Sequence, residues 1–189
     1  DARTDALRRD FTMNGLFLDL KLCELIDYVG GERDLRLGNI RTIGNPKDRF
    51  QEDYLRILRA FRFQAELGFD IDDETMAALS ECRELSFKVS GERIYAEMSR
   101  LLMGPFAEYA LTQMSQLFLF ESVLQVKSQI SWNYYRNFKI KSLEQAWIAL
   151  FLGVLQVKQN FDSLEEIFKA WKFPKKTKAT VLRGLDLFK

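Results

Sequence analysis

One carboxylate followed by three arginines, each three residues apart, is the part of the chain best equipped for chemistry. Asp53, Arg56, Arg59 and Arg62 make up this run. A carboxylate only accepts hydrogen bonds, whereas a guanidinium only donates them. Side by side on a helix, Asp53 and Arg56 would complement a base edge that carries an amine next to a ring-nitrogen acceptor. Cytosine and adenine have that edge, while uracil and guanine place a carbonyl opposite the carboxylate, at a cost of about 1–3 kcal/mol per mismatched buried group.

The same run places two further guanidinium groups where they can reach phosphates. Arg59 and Arg62 follow the pair at helical spacing, so the four residues together indicate nucleotide recognition. The alternative is a helix that forms ion pairs with itself and with its neighbours, because such networks resemble binding sites. The run alone leaves both interpretations open.

The apolar residues around the run predict the element that positions it. Residues 49–67 contain neither proline nor glycine and predict one continuous helix after the turn at Asn45-Pro46. At about 100° per residue, one face of this helix is apolar. Leu55 and Phe63 share the opposite face with the arginines, so we expect the helix to be covered on both sides. The apolar face comprises Tyr54, Ile57, Leu58, Phe61 and Ala65.

Three ordered motifs connect this helix to a known family. Residues 8–14 spell Arg-Arg-Asp-Phe-Thr-x-Asn, residues 49–63 spell Arg-Phe-x-Glu-Asp-x-x-Arg-x-x-Arg-Ala-x-Arg-Phe, and residues 92–97 spell Glu-Arg-x-x-x-Glu. Together they closely resemble the class II tRNA nucleotidyltransferases, which are the CCA-adding enzymes and the related bacterial poly(A) polymerases. The match runs from about Asp5 to Gly104 and is far more specific than any single short pattern.

The resemblance implies a role for each matching residue. Asp53 and Arg56 fall on the pair that acts as a protein template for the base of CTP or ATP. The other residues expected to bind nucleotide are Arg59 and Arg62 on the same helix, Arg9 and Asp10 against the triphosphate and ribose, and Asn14 in the same pocket. Glu52, Glu92 and Arg93 are expected to support these residues rather than to contact the nucleotide.

The family's metal chemistry has no counterpart in the matched motifs. Paired carboxylates that hold Mg²⁺ precede the Arg-Arg-Asp motif in the family, whereas this chain begins just before that motif. We therefore expect a fragment that lacks the first half of the catalytic head, contains no catalytic or metal-binding residue, and is inactive alone. Asp70-Ile71-Asp72 imitates a metal pair, but its position before a helix favours capping.

Composition narrows the class of protein further. The chain has 28 basic and 27 acidic residues and no histidine, which excludes histidine-based metal sites and nucleophile systems. A net charge of +1 provides no global attraction for RNA, so RNA would need a local basic patch. Two cysteines and the lack of a membrane span favour the cytoplasm and argue against a membrane partner.

The predicted fold is mostly α: a remnant of an α/β nucleotidyltransferase head at 1–51, a helical neck at 52–104 and a helical body at 105–189. The head remnant contains a β-hairpin from Leu16–Asp19 and Leu25–Tyr28. Residues 128–141, which include Trp132 and Tyr135, suit stacking on nucleic acid, although packing is favoured. Lys172, Lys175, Lys176 and Lys178 are candidates for RNA binding, with a solvated helix start as the alternative.

The resemblance implies a parent enzyme that adds CMP and AMP to the 3′ end of tRNA from CTP and ATP without a nucleic-acid template. Two alternatives within the class stay open, namely poly(A) addition and a partial CC- or A-adding activity. An alternative of another class is a non-catalytic RNA-binding module.

Overall fold

A computed structural model of the chain describes residues 1–123, 133–137, 139–158 and 162–188. The described residues are mainly helical, which confirms the predicted fold class. None of their helices is long and apolar enough to cross a membrane. The helices are α1 (Ala2–Arg8), α2 (Gly31–Leu37), α3 (Pro46–Glu52), α4 (Leu55–Leu67), α5 (Asp73–Cys82), α6 (Gly91–Leu102), α7 (Ala107–Gln116), α8 (Leu119–Val123), α9 (Asn133–Asn137), α10 (Leu143–Lys158), α11 (Asp162–Ala170) and α12 (Lys175–Asp186).

Two small β-structures accompany the helices. The predicted hairpin is present, with β1 (Leu16–Asp19) antiparallel to β2 (Glu24–Asp27). A second, parallel pair was not predicted and joins β3 (Asn39–Ile40) to β4 (Asp70–Ile71). Leucines on the hairpin are exposed, for example Leu20 at 82%, so the apolar side of this hairpin is open to solvent.

The prediction of a single helix over 49–67 is wrong, because the chain forms two helices there. α3 ends at Glu52, Asp53 has an extended backbone with φ −148° and ψ 104°, and α4 begins two residues later. The Asp53 carboxylate accepts a hydrogen bond from the Leu55 amide at 3.1 Å. An aspartate that bonds to the backbone two residues ahead competes with helix formation, and here that local bond wins.

α4 is covered on both sides, as its sequence predicts. Ile57, Leu58, Phe61 and Ala65 are fully buried on its apolar face, and Leu55 on the other side is 6% exposed. α6 and α7 pack against α4, and the same apolar cluster continues into α10 and α12. α4 is therefore held rigidly enough to position the side chains it presents.

The segment 9–14, which carries the Arg-Arg-Asp motif, is fixed by backbone contacts with residues 41–43. The Thr12 amide donates to the Arg41 carbonyl, and the Ile43 amide donates to the Asp10 carbonyl. Buried Asp34 accepts a hydrogen bond from the Thr12 hydroxyl at 2.5 Å. These contacts place the motif beside α4.

The start of α6 is packed directly against the end of α11. A Cβ on Gly91 would lie 1.8 Å from the Ala170 carbonyl oxygen, so only glycine fits at this position. Beyond this contact, Trp147 is fully buried, and its ring lies 5.7 Å from Tyr95 of α6 and 5.9 Å from Trp171. Trp147 of α10 and Trp171, directly after α11, therefore help to hold the N-terminal half of α6 in place.

The packing interpretation of residues 128–141 is confirmed at Tyr135. This side chain is 8% exposed, and its hydroxyl donates to the Leu102 carbonyl, so the ring belongs to the core. Trp132 lies outside the described residues. The predicted capping role of Asp72 is also confirmed, because its carboxylate accepts from the Thr75 amide at 3.0 Å at the start of α5.

Candidate functional site

A cavity of about 560 Å³ lies between α4, α6 and the segment 9–14. It gathers all seven predicted nucleotide-binding residues and the predicted supporting residue Arg93. Glu52 and Glu92 are outside its lining. The lining comprises Arg9, Asp10, Asn14, Asp53, Leu55, Arg56, Arg59, Arg62, Phe63, Glu66, Arg93 and Arg100. Six arginines against three carboxylates make this cavity attractive to a polyanion.

Asp53 faces the cavity from the break between α3 and α4 rather than from a helical turn. One carboxylate oxygen accepts from the Leu55 amide, and the other accepts from Arg93 of α6 at 2.8 Å. Both oxygens are therefore oriented by groups of the protein. Each oxygen keeps acceptor capacity for a second donor, because a carboxylate has about four lone-pair sites.

Arg56 lies in the first turn of α4 and is held from the α3 side. Its guanidinium donates to the Arg49 carbonyl and to the Glu52 carboxylate, both at 2.9 Å. Its second amino group makes only a long contact of 3.4 Å with the Arg8 carbonyl. Glu52 thus supports Arg56 through an ion pair, while the long contact leaves donor capacity at Arg56.

Asp10, Asn14 and Arg59 form one hydrogen-bonded group at the middle of the cavity. The Asp10 carboxylate accepts from the Asn14 side chain at 2.8 Å and from Arg59 at 2.7 Å. Burial opposes ionisation of Asp10, but the hydrogen bond from Asn14, the charge and hydrogen bond of Arg59, and the Phe11 amide outweigh it and hold the pKa of the carboxyl below its usual value. Asp10 is therefore an ionised anchor that orients Arg59.

Arg62 is a buried part of the cavity wall, with 2% of its side chain exposed. It pairs with Glu66 at 2.6 Å, and its Nε lies 2.6 Å from a carboxylate oxygen of Glu97, without the alignment of a hydrogen bond. Its guanidinium stacks on the Phe63 ring at 3.7 Å. With two carboxylates and an aromatic ring around it, Arg62 shapes the wall and stabilises the neighbouring charges.

Arg9 lines the cavity, and Arg49 lies outside the lining but contacts Arg56 through its backbone carbonyl. Arg9 pairs with Asp5 at 2.8 Å, donates to the Asn14 carbonyl at 3.1 Å, and lies 5.1 Å from the Phe17 ring. Arg49 donates to the Arg9 carbonyl, which ties α3 to the segment 9–14. Burial, followed by the charge of Arg56, lowers the pKa of the Arg49 guanidinium.

Several residues that line or brace the cavity were not among the predicted site residues. Leu55, Phe63, Glu66 and Arg100 line it, and Arg49 and Glu97 brace its arginines. Glu97 is 8% exposed and lies between Arg59, at 3.7 Å, and Arg62. The spacing of residues 93, 97 and 100 could have identified Glu97, because residues three and four apart share one face of a helix. Arg93 and Arg100 of that face line the cavity, and Glu97 pairs with Arg59 and Arg62 of its wall.

Among the predicted RNA-binding lysines, two are engaged in ion pairs. Lys172 pairs with Glu92, which places this predicted supporting residue at the contact between α6 and α11. Lys178 pairs with Glu165 at 2.5 Å. Lys175 and Lys176 are exposed at the start of α12.

No metal centre is formed by the part of the chain that the structure describes. There, no three or more histidine, cysteine, aspartate or glutamate side chains converge as ligands. Asp70 accepts a hydrogen bond from the Tyr109 hydroxyl at 2.6 Å, and Asp72 caps α5. The charged groups that line the cavity are arginines and carboxylates.

Two protein families match the chain. The family described as "Poly A polymerase head domain" matches residues 1–41, and the family described as "Probable RNA and SrmB- binding site of polymerase A" matches residues 68–128. The cavity takes Arg9, Asp10 and Asn14 from the first match and Arg93 and Arg100 from the second.

Several similar proteins are CCA-adding enzymes. A CCA-adding enzyme of Bacillus subtilis (strain 168) is 35% identical over 188 residues, which is 97% of this chain and 46% of that protein. A solved structure of the Bacillus stearothermophilus CCA-adding enzyme in complex with CTP has a TM-score of 0.81 and 31% identity, over 99% of this chain and 47% of that one. A CCA-adding enzyme solved with ATP has a TM-score of 0.70 and 26% identity, over 94% of this chain and 46% of that one. The chain thus spans somewhat less than half the length of these relatives.

Proposed function

The chain belongs to the family of tRNA nucleotidyltransferases and bacterial poly(A) polymerases, and on that premise we propose that it is the base-selecting part of an enzyme that adds CMP and AMP to the 3′ end of tRNA. CTP and ATP are the proposed nucleotides, and selection needs no nucleic-acid template. The names of two relatives support this proposal: the CCA-adding enzymes of Bacillus subtilis and Streptococcus gordonii are 35% and 36% identical to this chain.

The observation that carries the proposal is the placement of Asp53 and Arg56, the base-selecting pair, in one cavity. Asp53 is fixed by Leu55 and Arg93, and Arg56 is fixed by Glu52, so neither side chain has to be ordered when a base arrives. Pre-organised polar groups reject a mismatched partner strongly, because they would be left unpaired under cover. An acceptor beside a donor favours the amine-bearing edges of cytosine and adenine.

The remaining cavity residues have proposed roles in holding the rest of the nucleotide. Arg9 and Arg59 would bind the triphosphate, while Asp10 and Asn14 orient Arg59 and contact the sugar. Arg93 would hold the carboxylate of Asp53 in position. The terminal hydroxyl of tRNA would attack the α-phosphorus of CTP or ATP, forming a phosphodiester bond and releasing pyrophosphate.

Reactions of this type use a divalent cation to neutralise charge and align the attacking oxygen. We propose Mg²⁺ in the complete enzyme, held by the paired carboxylates that precede the Arg-Arg-Asp motif in the family. No step of the proposed role of this chain passes through the cation.

Three further assignments are part of the same proposal. We retain the division into a head remnant at 1–51, a neck at 52–104 and a body at 105–189. Exposed Lys175 and Lys176 are the proposed RNA contacts of the body, while Lys172 and Lys178 would have to exchange carboxylate partners to reach RNA. A cytoplasmic location is proposed, in keeping with two free cysteines, Cys23 and Cys82.

The alternatives differ in product. Poly(A) addition is supported by the description of the two matching families, and a partial enzyme would add only CC or only A. A non-catalytic RNA-binding module would bind RNA without extending it.

The test is incorporation by the complete enzyme that contains this chain. A tRNA transcript lacking its terminal CCA is incubated with CTP, ATP and Mg²⁺, and the 3′ ends are sequenced. The proposal expects CCA ends; a run of A, or ends limited to CC or A, would replace it with one of the alternatives. Binding without extension would support the module. For the 189-residue chain alone we predict no incorporation, which robust extension would contradict.

A further inference from the structure

Arg56 is held mainly by α3, although it belongs to α4. Its guanidinium donates to the Arg49 carbonyl and to the Glu52 carboxylate, both at 2.9 Å, and both acceptors lie on α3. The Arg49 carbonyl is one of the last four of that helix, where carbonyl groups lack helical partners and attract a cation. Only Asp53 and Tyr54 join α3 to α4, so the position of Arg56 depends on where α3 ends.

The side chain of Arg49 holds this end of α3 against the segment 9–14. It is 12% exposed, and its two terminal amino groups have different partners. One donates to the Glu52 carboxylate, on the same oxygen that accepts from Arg56, and the other donates to the Arg9 carbonyl. Arg49 therefore links Arg56 of the base-selecting pair to the segment proposed to bind the triphosphate.

Arg49 is placed to hold other residues rather than to bind a ligand. It lies outside the cavity lining, and both of its terminal amino groups are engaged by the protein. Its Nε is buried and has no hydrogen-bond partner among the described residues. A buried donor without a partner costs free energy, and an apolar side chain in the same place would avoid that cost. The contacts of the two amino groups are what an apolar side chain could not supply.

We propose that Arg49 is a positioning residue for base selection, which fixes Arg56 through Glu52 and keeps it in register with Arg9. This inference rests on the proposed function. Without the Arg49 side chain, Glu52 loses a cation and α3 loses its contact with the Arg9 carbonyl, so Arg56 is no longer confined. Discrimination against UTP and GTP should then weaken, because a donor that is free to turn away no longer penalises a mismatched base.

The test uses the complete enzyme that contains this chain, with Arg49→Met, Arg49→Lys, Glu52→Gln and the double variant Arg49→Met/Glu52→Gln. Arg83→Met is the matched control. Arg83 is also half-buried and donates to a backbone carbonyl, that of Ser80, but it lies outside the cavity lining. The value of kcat/KM is measured for CTP, UTP, ATP and GTP with a tRNA acceptor, and urea unfolding reports the stability of each variant.

Arg49→Met should lower the ratio of kcat/KM for CTP over UTP, and for ATP over GTP, about tenfold, because one orienting contact of Arg56 is lost. A merely structural role would lower all four values in the same proportion. Arg49→Lys should lose as much, because an ammonium lacks the two separate amino groups that reach Glu52 and the Arg9 carbonyl. The double variant should lose less than the product of the two single losses, because Arg49 acts through Glu52. Arg83→Met should keep both ratios within about twofold.

Several outcomes would overturn the proposal. Unchanged ratios in Arg49→Met would remove Arg49 from base selection, and Arg49→Lys carries the same test should Arg49→Met not fold. Ratios restored by Arg49→Lys would show that charge alone matters. Single losses that multiply in the double variant would show that Arg49 and Glu52 act independently, and an equal loss in Arg83→Met would show a general effect of stability.

The unaltered enzyme separates a failure of this inference from a failure of the proposed function. If it showed no preference for CTP and ATP over UTP and GTP, the proposed function would fail, and the role of Arg49 with it. If it showed the preference and Arg49→Met kept it, the role of Arg49 alone would fail.

Discussion

Replacing Asp53 by asparagine should reverse the hydrogen-bonding character of the base-selecting pair while leaving the backbone intact. The carboxylate accepts from the Leu55 amide with one oxygen and from Arg93 with the other. An asparagine can keep its amide oxygen on the Leu55 N–H, which preserves the turn that starts α4. Its NH₂ group then takes the place of the oxygen that faces Arg93 and the cavity.

The expected loss of base selectivity follows from this exchange of one acceptor for one donor. A cytosine or adenine amine would meet a donor instead of an acceptor, and a uracil or guanine carbonyl would meet a donor instead of a carboxylate. Each buried polar group left without a partner costs about 1–3 kcal/mol. Because 1.4 kcal/mol is a tenfold change, the preference for CTP over UTP should fall by about tenfold or more. Asp53→Ala removes the acceptor without adding a donor, so selection should relax less.

The measurement is the ratio of kcat/KM for CTP and UTP, and for ATP and GTP, with a tRNA acceptor and the complete enzyme. Asp72→Asn is the matched control, because Asp72 also bonds to a backbone amide at a helix start but lies outside the cavity. Selectivity unchanged in Asp53→Asn would refute the base-selecting role. An equal loss in Asp72→Asn would show that the effect arises from helix stability.

Three further predictions concern the framework of the cavity. The pKa of Asp10 is lower in the folded protein than in the unfolded chain. The Asp10 carboxylate therefore stabilises the fold above the unfolded-state pKa of about 3.9, and this stabilisation is lost as the pH falls through the folded-state pKa. Asp10→Asn should flatten this pH dependence of the free energy of unfolding, measured with urea. Gly91→Ala should lower the free energy of unfolding by about 1–3 kcal/mol, because its Cβ would meet the Ala170 carbonyl. Glu97→Gln should cost about 3 kcal/mol, because it removes a buried carboxylate from between two arginines.

The predictions for Gly91 and Glu97 each have a control in the chain. Exposed Ala96 on the same helix as Gly91 should tolerate Ala96→Ser within about 0.5 kcal/mol. Glu108, in an exposed pair with Arg136, should lose no more than about 1 kcal/mol on Glu108→Gln. An Asp10→Asn variant with the same acid dependence as the unaltered protein, or losses in Gly91→Ala and Glu97→Gln no larger than in these controls, would contradict the structural account.

The sequence predicted the elements whose signals are local. The hairpin at 16–27 follows from two short apolar runs around a polar turn, and the burial of Ile57, Leu58 and Phe61 follows from helical spacing. The break at Asp53 was missed because neither proline nor glycine marks it. It depends on a side-chain bond to the Leu55 amide, which an aspartate forms only in some settings.

The contacts that the sequence did not predict join residues far apart in the chain. The parallel pair of β3 and β4 joins Ile40 to Ile71. Parallel strands are not connected by a tight turn, so no local sequence signal predicts this pairing. The position of Glu97 between two arginines of α4 depends on the packing of α6 against α4. The family motifs identified which residues meet in the cavity, whereas their hydrogen-bond partners required the three-dimensional structure.

The position of Asp53 in the break between α3 and α4 limits how the protein can change. The same carboxylate starts a helix through the Leu55 amide and faces the cavity. Only a short side chain with an oxygen acceptor, namely aspartate, asparagine, serine or threonine, can take over the first task. Most replacements of Asp53 would disturb the start of α4, whatever their effect on a ligand. An altered nucleotide preference therefore has to come from one of these four residue types at position 53 or from substitutions at other positions.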